Sequence, residues 1–286
     1  MKMSVLARLQ FYKGVLMQDM DEAANAHYQQ FETIIKILTP YVGEVRGKAI
    51  LDAGCGRLYP TALLLNSLGN YVVGIDIIHI GVNVPFLTKL RGELQNGPVS
   101  IARSLLYGIL LKNRRFYRRL SKLTGFPLTT RRLVIRQMSV EQMSFPDKLF
   151  DIVVSIAVFE HVKNVVQAVC ELSRVLKPGG VAYITIHLFT SLSGGHSFDW
   201  ADPGKVAPWD HLRQRWQSAP VYLNRLREHE YHSLFQERFE ILEVLDIGNG
   251  EGKDLLTPEI RNELSDYSEE ELLKKGITII ARKRDE

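Results

Sequence analysis

Short apolar runs alternate with longer segments of helical character along most of the chain. Seven runs have the length and composition of buried strands, namely residues 49–51, 71–75, 133–136, 150–155, 181–187, 239–247 and 277–281. Helical spacing or helix-prone composition predicts helices at residues 61–68, 101–124, 165–175 and 258–275. This alternation of strand and helix predicts an α/β protein.

The first part of the chain has the pattern of a helix. Apolar residues lie at helical spacing from Phe31 to Leu38, and Pro40 is expected to end the run. We therefore divide the chain into an N-terminal helical segment, residues 1–45, and a main domain, residues 46–286, which is long enough to bury a sizeable core.

The segment that follows the first predicted strand is rich in glycine. Asp52, Gly54 and Gly56 form a tight turn there, and the next strand ends on Asp76. Glycine leaves the backbone bare, so that a ligand can approach it closely, and a carboxylate at a strand tip can accept hydrogen bonds from both hydroxyls of a ribose. The unit therefore predicts a ligand that contains a nucleoside.

The spacing of this turn separates two kinds of nucleoside cofactor. A dinucleotide fingerprint requires a third glycine at the position where this chain has Tyr59. The pattern Asp52-x-Gly54-x-Gly56 instead resembles the first motif of the class I S-adenosylmethionine-dependent methyltransferases. Leu58 departs from the pattern, because that family usually has a further glycine there.

Two later motifs strengthen the resemblance and occur in the family's order. A Phe-Glu-His-Val motif at residues 159–162 follows one strand, and a Lys-Pro-Gly-Gly motif at residues 177–180 precedes the next. The resemblance implies a doubly wound, seven-stranded, mostly parallel sheet of the Rossmann-like methyltransferase type, with an antiparallel last strand. It also implies S-adenosyl-L-methionine as the cofactor.

The resemblance assigns cofactor contacts to particular positions. Gly54 and Gly56 should pass close to the methionine end of the cofactor, with Asp52 ordering its amino group through the turn. Asp76 should hold the ribose hydroxyls, and Ser139 stands where the family often has an acid for the adenine amino group. The expected cofactor-binding set is Asp52, Ala53, Gly54, Cys55, Gly56, Asp76, Ile77, Ser139, Val140 and Ser155.

Three histidines are candidates for the catalytic base. Methyl transfer to a hydroxyl removes a proton, and histidine is the usual base near neutral pH. His187 and His161 follow strands, and His196 lies in an irregular segment, residues 188–219, that should border the substrate. We rank His187 first, then His196 and then His161, although a single histidine is more often a structural hydrogen bonder than a catalyst.

Positive charge is concentrated in one stretch. Residues 81–136 hold three Lys and nine Arg against a single acid, whereas the whole chain carries a net charge of +4. We predict a helical basic insertion at residues 81–132. It fits a solvated helix packed on the core, a cap for a phosphorylated or acidic acceptor, or contact with an anionic membrane surface, with nucleic acid as the least favoured partner. In the membrane interpretation the lipid-facing residues are Leu105, Ile109, Phe116, Leu120 and Leu123.

Composition limits the cellular compartments and the kinds of site that we expect for this protein. Cys55 and Cys170 are too few for a disulfide framework or a zinc site, and no stretch has the length of a membrane span. We therefore predict a cytoplasmic protein, with peripheral contact at the inner membrane face as an extension of the membrane interpretation. No metal is expected, because the sequence shows no compact carboxylate cluster of the kind that metal-dependent catechol-type transfer needs.

The acceptor is predicted only by class. Enzymes that methylate amino groups of nucleic acids typically carry Asn- or Asp-Pro-Pro-aromatic after the fourth strand, and residues 155–160 do not match this motif. O-methylation of a small-molecule, sugar or lipid-linked acceptor is therefore favoured. Two alternatives stay open: a methyltransferase-like scaffold without turnover, favoured by Leu58 and Ser139, and an RNA methyltransferase, favoured only by the basic insertion.

Overall fold

The computed structural model describes residues 19–77, 112–197, 201–213 and 221–284. These residues fall into two compact units, one that ends at Ser139 and one that begins at Val140. Much of the predicted basic insertion, residues 81–111, lies outside the described residues. The same holds for residues 198–200 and 214–219 of the predicted substrate loop.

Seven strands form the sheet that the motifs imply. They are β1 (Ala49–Ala53), β2 (Tyr71–Asp76), β3 (Leu133–Gln137), β4 (Phe150–Ile156), β5 (Leu176–His187), β6 (Phe239–Asn249) and β7 (Lys274–Lys283). Their order in the sheet is β3-β2-β1-β4-β5-β7-β6. The β1–β2, β2–β3 and β4–β5 pairs are parallel, whereas β7 is antiparallel to β5 and β6. The predicted doubly wound, mostly parallel sheet with an antiparallel last strand is confirmed.

One helix precedes the first strand, and the other helices lie in connections between strands. In the described residues they are α1 (Met20–Val42), α2 (Pro60–Ser67), α3 (Lys112–Thr124), α4 (Val165–Val175), α5 (Glu228–Gln236), α6 (Pro258–Glu263) and α7 (Glu269–Leu273), with short 3-10 turns at Phe159–His161 and Lys253–Leu255. The predicted helix at residues 165–175 coincides with α4, because its apolar positions have clear helical spacing and Asn164 caps its first turn.

Helix α1 continues beyond the position at which its end was predicted. Its first turn is capped by the Asp19 carboxylate, which accepts a hydrogen bond from the Asp21 N–H at 2.8 Å. Pro40 lies inside the helix, which ends only at Gly43 with φ of 69°, so the prediction that Pro40 ends the run was wrong. A proline so close to the C-terminal end removes a single hydrogen bond, and the last turn survives that loss.

The apolar face of helix α3 is buried inside the first unit. Phe116 and Leu120 are fully buried there, which removes these two side chains from any surface available to lipid. Arg115 pairs with Asp21 of α1 at 2.6 Å, and its guanidinium lowers the pKa of that carboxyl. The role of the remaining basic residues of the insertion stays a prediction. Among the described residues, no helix is both long and apolar enough to cross a membrane.

The predicted helix at residues 258–275 is two short helices. Thr257 caps α6, and Ser268 then starts α7 with a capping box, in which its hydroxyl accepts from the Glu271 N–H and its own N–H donates to the Glu271 carboxylate. This second cap interrupts the helical run. Lys274, which was assigned to the helix, instead begins β7.

Candidate cofactor and catalytic sites

Backbone N–H groups bind the glycine turn after β1 to the end of β2. The N–H groups of Gly54 and Cys55 both donate to the Ile75 carbonyl, at 2.8 and 3.0 Å. The Gly56 N–H donates to Oδ2 of Asp76 at 2.9 Å. The turn and the carboxylate predicted to hold the ribose are therefore fixed to each other by hydrogen bonds.

Two residues of the Gly54-Cys55-Gly56 turn, Gly56 and Cys55, have different surroundings. At Gly56, φ is +68° and a Cβ would meet no described atom within 4 Å, so the backbone borders open space, as close approach of a ligand requires. The Cys55 side chain instead packs under the turn, where a Cβ on Gly74 would lie 2.9 Å from its sulfur. Burial raises the pKa of the Cys55 thiol, so the thiol stays protonated and packs in the interior. Only the backbone of Cys55 is suited to meet a cofactor.

Asp52 is a buried acid whose hydrogen bonding is incomplete. Its side chain is 2% exposed, and Oδ2 has no hydrogen-bond partner among the described residues. Burial raises the pKa of Asp52 to about 7, with the backbone N–H of Ala62 opposing the rise and Asp76 adding to it. An unpaired buried carboxylate fits a ligand that carries a positive charge, and S-adenosylmethionine carries an ammonium group and a sulfonium.

The departure at Leu58 has a local structural explanation. The Tyr117 hydroxyl of α3 donates to the Leu58 carbonyl at 3.0 Å, and the Tyr59 and Tyr117 rings pack with centroids 6.1 Å apart. Tyr59 has φ of 38° and leads directly into Pro60 at the start of α2. In this chain, contacts from α3 thus hold a turn that glycine usually makes possible in the family.

The other predicted cofactor residues occupy different environments. Ala53 is fully buried at the end of β1, and Ile77 is 72% exposed just after β2. Ser139 is half-buried at the end of the first unit. Val140 and Ser155 belong to the second unit, where both are buried. Their predicted contacts with a cofactor stay predictions.

The three candidate histidines lie together in the second unit. The ring of His196 is 4.8 Å from that of His187 and 4.9 Å from that of His161, measured between centroids. Burial lowers the pKa of all three, to about 4 for His187 and about 3 for His196. The structure therefore brings together residues from the end of β5, the turn after β4 and the loop that follows β5.

The hydrogen bonds around His187 decide which of its nitrogens carries the proton. Nε2 lies 2.9 Å from the Ser193 hydroxyl and 3.3 Å from the Ser191 hydroxyl. Both hydroxyls donate elsewhere, Ser193 to Glu251 at 2.7 Å and Ser191 to the Leu188 carbonyl at 2.9 Å. Because neither hydroxyl has a second proton, we infer that Nε2 is the donor and that Nδ1 carries a lone pair.

A Gly-Gly pair shapes the loop that carries His196. A Cβ on Gly194 would overlap the carbonyls of Leu188 and Phe189, and a Cβ on Gly195 would lie 2.7 Å from the ring carbon of His211. The loop therefore folds tightly back against the end of β5. His196 follows in the left-handed region, with φ of 52°, and its Nε2 is buried without a hydrogen-bond partner among the described residues.

Glu160 lies beside these histidines and was not among the predicted site residues. It is 3% exposed, and neither carboxylate oxygen has a hydrogen-bond partner of good geometry among the described residues. Burial raises the pKa of Glu160 to about 8, although the backbone N–H groups of Glu160 and His187 partly oppose the rise. One donor atom each from Glu160, His187 and His196 lie within 4.8 Å of one another.

Asn224 holds the turn that carries Glu160 and His161. Its side-chain amide donates to the carbonyls of Phe159 and Val162 at 2.6 and 3.1 Å, and its backbone N–H donates to the Glu160 carbonyl at 3.0 Å. Sequence reasoning missed Asn224, Ser193 and Glu251. Asn224 and Glu251 lie 64 and 91 positions after Glu160 and belong to no recognisable motif, so only the folded chain reveals their roles.

Residues 114–184 match the family model described as a methyltransferase domain. The match spans about a quarter of the chain and includes the Phe-Glu-His-Val and Lys-Pro-Gly-Gly motifs. The matched segment and the fold support a class I S-adenosylmethionine-dependent methyltransferase. Use of S-adenosylmethionine follows for this methyltransferase at the level of its family.

Solved structures resemble this chain at low sequence identity. A Listeria monocytogenes protein described as an S-adenosylmethionine-dependent methyltransferase is 14% identical, with a TM-score of 0.52 over 92% of this chain and 99% of that one. The YcgJ protein of Bacillus subtilis is 18% identical, with a TM-score of 0.49 over 91% and 100% of the two chains. No curated protein matches the sequence significantly.

Proposed function

We propose that this methyltransferase methylates a hydroxyl oxygen of a small-molecule, sugar or lipid-linked acceptor, with a histidine as the base. The observation that carries the proposal is the hydrogen-bond chain from His187 through Ser193 to Glu251. It fixes the orientation of the imidazole and leaves the Nδ1 lone pair free to accept a proton, which is the arrangement of an oriented general base.

The cofactor is assigned to the first unit. When bound, S-adenosylmethionine supplies a methyl group on a positively charged sulfur. Gly54 and Gly56 would admit it to the backbone, Asp52 would pair with its ammonium group, and Asp76 would accept from its ribose hydroxyls. The incomplete hydrogen bonding of Asp52 and the open space at Gly56 support this assignment.

The base is assigned to the histidine cluster. As the acceptor oxygen forms its new bond to the methyl carbon, the bond from that carbon to the positively charged sulfur would break and leave neutral S-adenosylhomocysteine. The O–H bond of the acceptor would break in the same reaction, and its proton would move to Nδ1 of His187. In the resulting imidazolium, Nε2–H still donates to the Ser193 hydroxyl, and that hydroxyl still donates its own proton to the Glu251 carboxylate. His196 is the second candidate and His161 the third. The Nδ1 atom of His161 already lies 2.9 Å from the Tyr222 carbonyl, which leaves it less available.

The partner classes follow from the same proposal. A phosphorylated or otherwise acidic acceptor would suit the net positive charge of residues 81–136, because guanidinium groups match the geometry of phosphate oxygens. Peripheral membrane contact of a cytoplasmic enzyme is the membrane-borne version of this idea. Nucleic acid stays the least favoured acceptor.

Calorimetric titration with S-adenosylmethionine and S-adenosylhomocysteine tests the cofactor assignment. Micromolar binding is expected for the native protein. Asp76→Asn keeps an oxygen that can accept from the Gly56 N–H and should weaken binding roughly 10-fold through the lost charge, while Asp76→Ala also releases the turn and should weaken it further. Asp254→Asn, at an exposed position, is the matched control and should bind as the native protein does.

Transfer of labelled methyl groups to a panel of hydroxylated acceptors tests the base. With any acceptor that is turned over, His187→Gln should lower kcat while leaving the affinity for S-adenosylmethionine unchanged. If the folded native protein binds neither cofactor, the scaffold alternative replaces this proposal. If the protein binds RNA with an affinity that falls steeply as the salt concentration rises, the RNA methyltransferase alternative is favoured instead.

A further inference from the structure

Glu160 is a buried acid whose side chain lacks the partners that would favour its ionised form. An ionised carboxylate buried at 3% exposure normally accepts several hydrogen bonds or pairs with a cation, because removal of the charge from water is costly. Both oxygens of Glu160 lack hydrogen bonds of good geometry among the described residues, and the backbone N–H groups of Glu160 and His187 offset the effect of burial on its pKa only in part. The ion pairs of the described residues include none between Glu160 and a Lys or Arg side chain. The imidazoles of His187 and His196 instead lie next to its carboxyl group.

We propose that Glu160, His187 and His196 form a binding site for a divalent transition-metal ion. The three side chains offer one carboxylate oxygen and two imidazole nitrogens within 4.8 Å of one another. Two histidines and one glutamate form a donor set that zinc accepts in enzymes, with at least one coordination position left open. Imidazole donors also suit iron(II) and nickel, whereas Mg²⁺ and Ca²⁺ prefer oxygen.

The hydrogen bonds of the two histidines agree with this assignment. A metal-bound imidazole usually donates its other N–H to an acceptor that fixes the ring and its tautomer. The Nε2–H of His187 does so through Ser193 to Glu251, which leaves Nδ1 as the donor to an ion. His196 carries a buried Nε2 without a partner among the described residues, and an ion would supply that partner.

The loop geometry holds His196 in place for this purpose. Gly194 and Gly195 allow the chain to fold tightly against the end of β5, and His196 itself adopts φ of 52°. Left-handed backbone at a non-glycine residue is uncommon and tends to persist where surrounding structure or function requires it. On the opposite side, Asn224 fixes the turn that carries Glu160.

The ion would have a role in the reaction only if the proposed function holds. A divalent ion held by these residues would act as a Lewis acid, so that an acceptor hydroxyl at its open position would lose its proton to water more easily. His187 and His196 would then serve as ligands, and the ion would replace His187 in activating the hydroxyl. The binding of the ion itself does not depend on this role.

Metal titration of the chelator-stripped full chain, without cofactor or acceptor, tests the site. We expect one equivalent of Zn²⁺ to bind with micromolar or tighter affinity by calorimetry, and no competition from millimolar Mg²⁺. Co²⁺ should bind at the same stoichiometry and give intense visible absorption, which indicates a low coordination number with nitrogen among the ligands. Glu160→Gln keeps the side-chain shape and the backbone bond to Asn224, and should weaken Zn²⁺ binding roughly 100-fold.

His161→Gln is the matched control, because its ring lies beside His196 but outside the donor set. Its Zn²⁺ affinity should stay within about 3-fold of the native value, as should that of His229→Gln at an exposed position. If Glu160→Gln does not fold, by circular dichroism, His196→Gln carries the same expectation.

Two results would overturn the proposal. One is the absence of stoichiometric Zn²⁺ and Co²⁺ binding to folded native protein, and the other is unchanged affinity in both Glu160→Gln and His196→Gln. The outcome is separable from that of the proposed function. A protein that binds S-adenosylmethionine but no metal contradicts only the metal site. One that binds metal but no cofactor contradicts methyl transfer and leaves the metal site standing. Metal bound through Nδ1 of His187 would replace the role of that histidine as the base.

Discussion

Replacement of Asp52 by Asn should stabilise the protein against unfolding, and more strongly at alkaline than at acidic pH. The physical reason is that the native protein holds this carboxyl fully buried with one oxygen unpaired, which raises its pKa from 3.8 to about 7. For an acid with a raised pKa in the folded state, the favourable contribution to stability is fully present below the unfolded pKa. It is lost as the pH rises through the folded pKa.

The magnitude follows from linkage. With pKa values of 3.8 unfolded and about 7 folded, the native protein loses about 3 kcal/mol of this contribution between pH 5 and pH 8, since each pKa unit corresponds to about 1.4 kcal/mol. The asparagine variant has no such titration. The variant-minus-native difference in the free energy of unfolding should therefore increase by about 3 kcal/mol over the same interval.

Urea unfolding of both proteins at pH 5 and pH 8, followed by circular dichroism, measures this quantity. The comparison of differences removes every titration that the two proteins share, together with any constant cost of burying the amide. Asp254→Asn removes an acid from an exposed position, and its difference should change by less than about 0.5 kcal/mol. A pH-independent difference for Asp52→Asn would refute the reasoning, since the carboxyl would then titrate alike in both states.

Further expectations concern the same two sites and the core around them. Cofactor binding at pH 6 should release protons, seen as a dependence of the calorimetric heat on the buffer's ionisation enthalpy, because an ammonium group favours the ionised form of Asp52; a heat that is the same in all buffers would contradict this. Gly194→Ala should cost about 3 kcal/mol in urea unfolding, because its Cβ would overlap backbone carbonyls, whereas Gly204→Ala, which meets only the Asp202 carboxylate at 3.2 Å, should cost little. Ser193→Ala should weaken Zn²⁺ binding about 10-fold through the lost support of His187. Arg174→Lys should cost about 2 kcal/mol, because the guanidinium donates from Nε and both terminal nitrogens at once; a loss below 0.5 kcal/mol would show that an ammonium can replace it.

The fold could be predicted from the sequence because local patterns encode it. Buried parallel strands appear as short apolar runs, and the amphipathic spacing at residues 165–175 gave α4 with its observed bounds. The two errors came from competing local signals. Pro40 falls so late in α1 that its missing N–H costs little, and the capping box at Ser268 interrupts a run that composition alone presents as one helix.

The glycine turn proposed to meet the cofactor could also be predicted from the sequence, because Asp52, Gly54, Gly56 and Asp76 lie on one β-turn-α-β unit whose geometry follows from chain order. What the sequence did not reveal was the condition of Asp52, since burial and an unpaired oxygen are properties of the surrounding packing.

The histidine cluster was decided by the tertiary structure. The sequence placed His161, His187 and His196 near strand ends, but their ring-to-ring contacts depend on how the Gly194-Gly195 loop folds back. The tautomer that we infer for His187 depends on Glu251, and the proposed set of metal donors depends on Glu160. Local periodicity fixes which backbone an element adopts, whereas side chains distant in sequence meet only when the whole unit packs, and the chemistry of this cluster arises from those meetings.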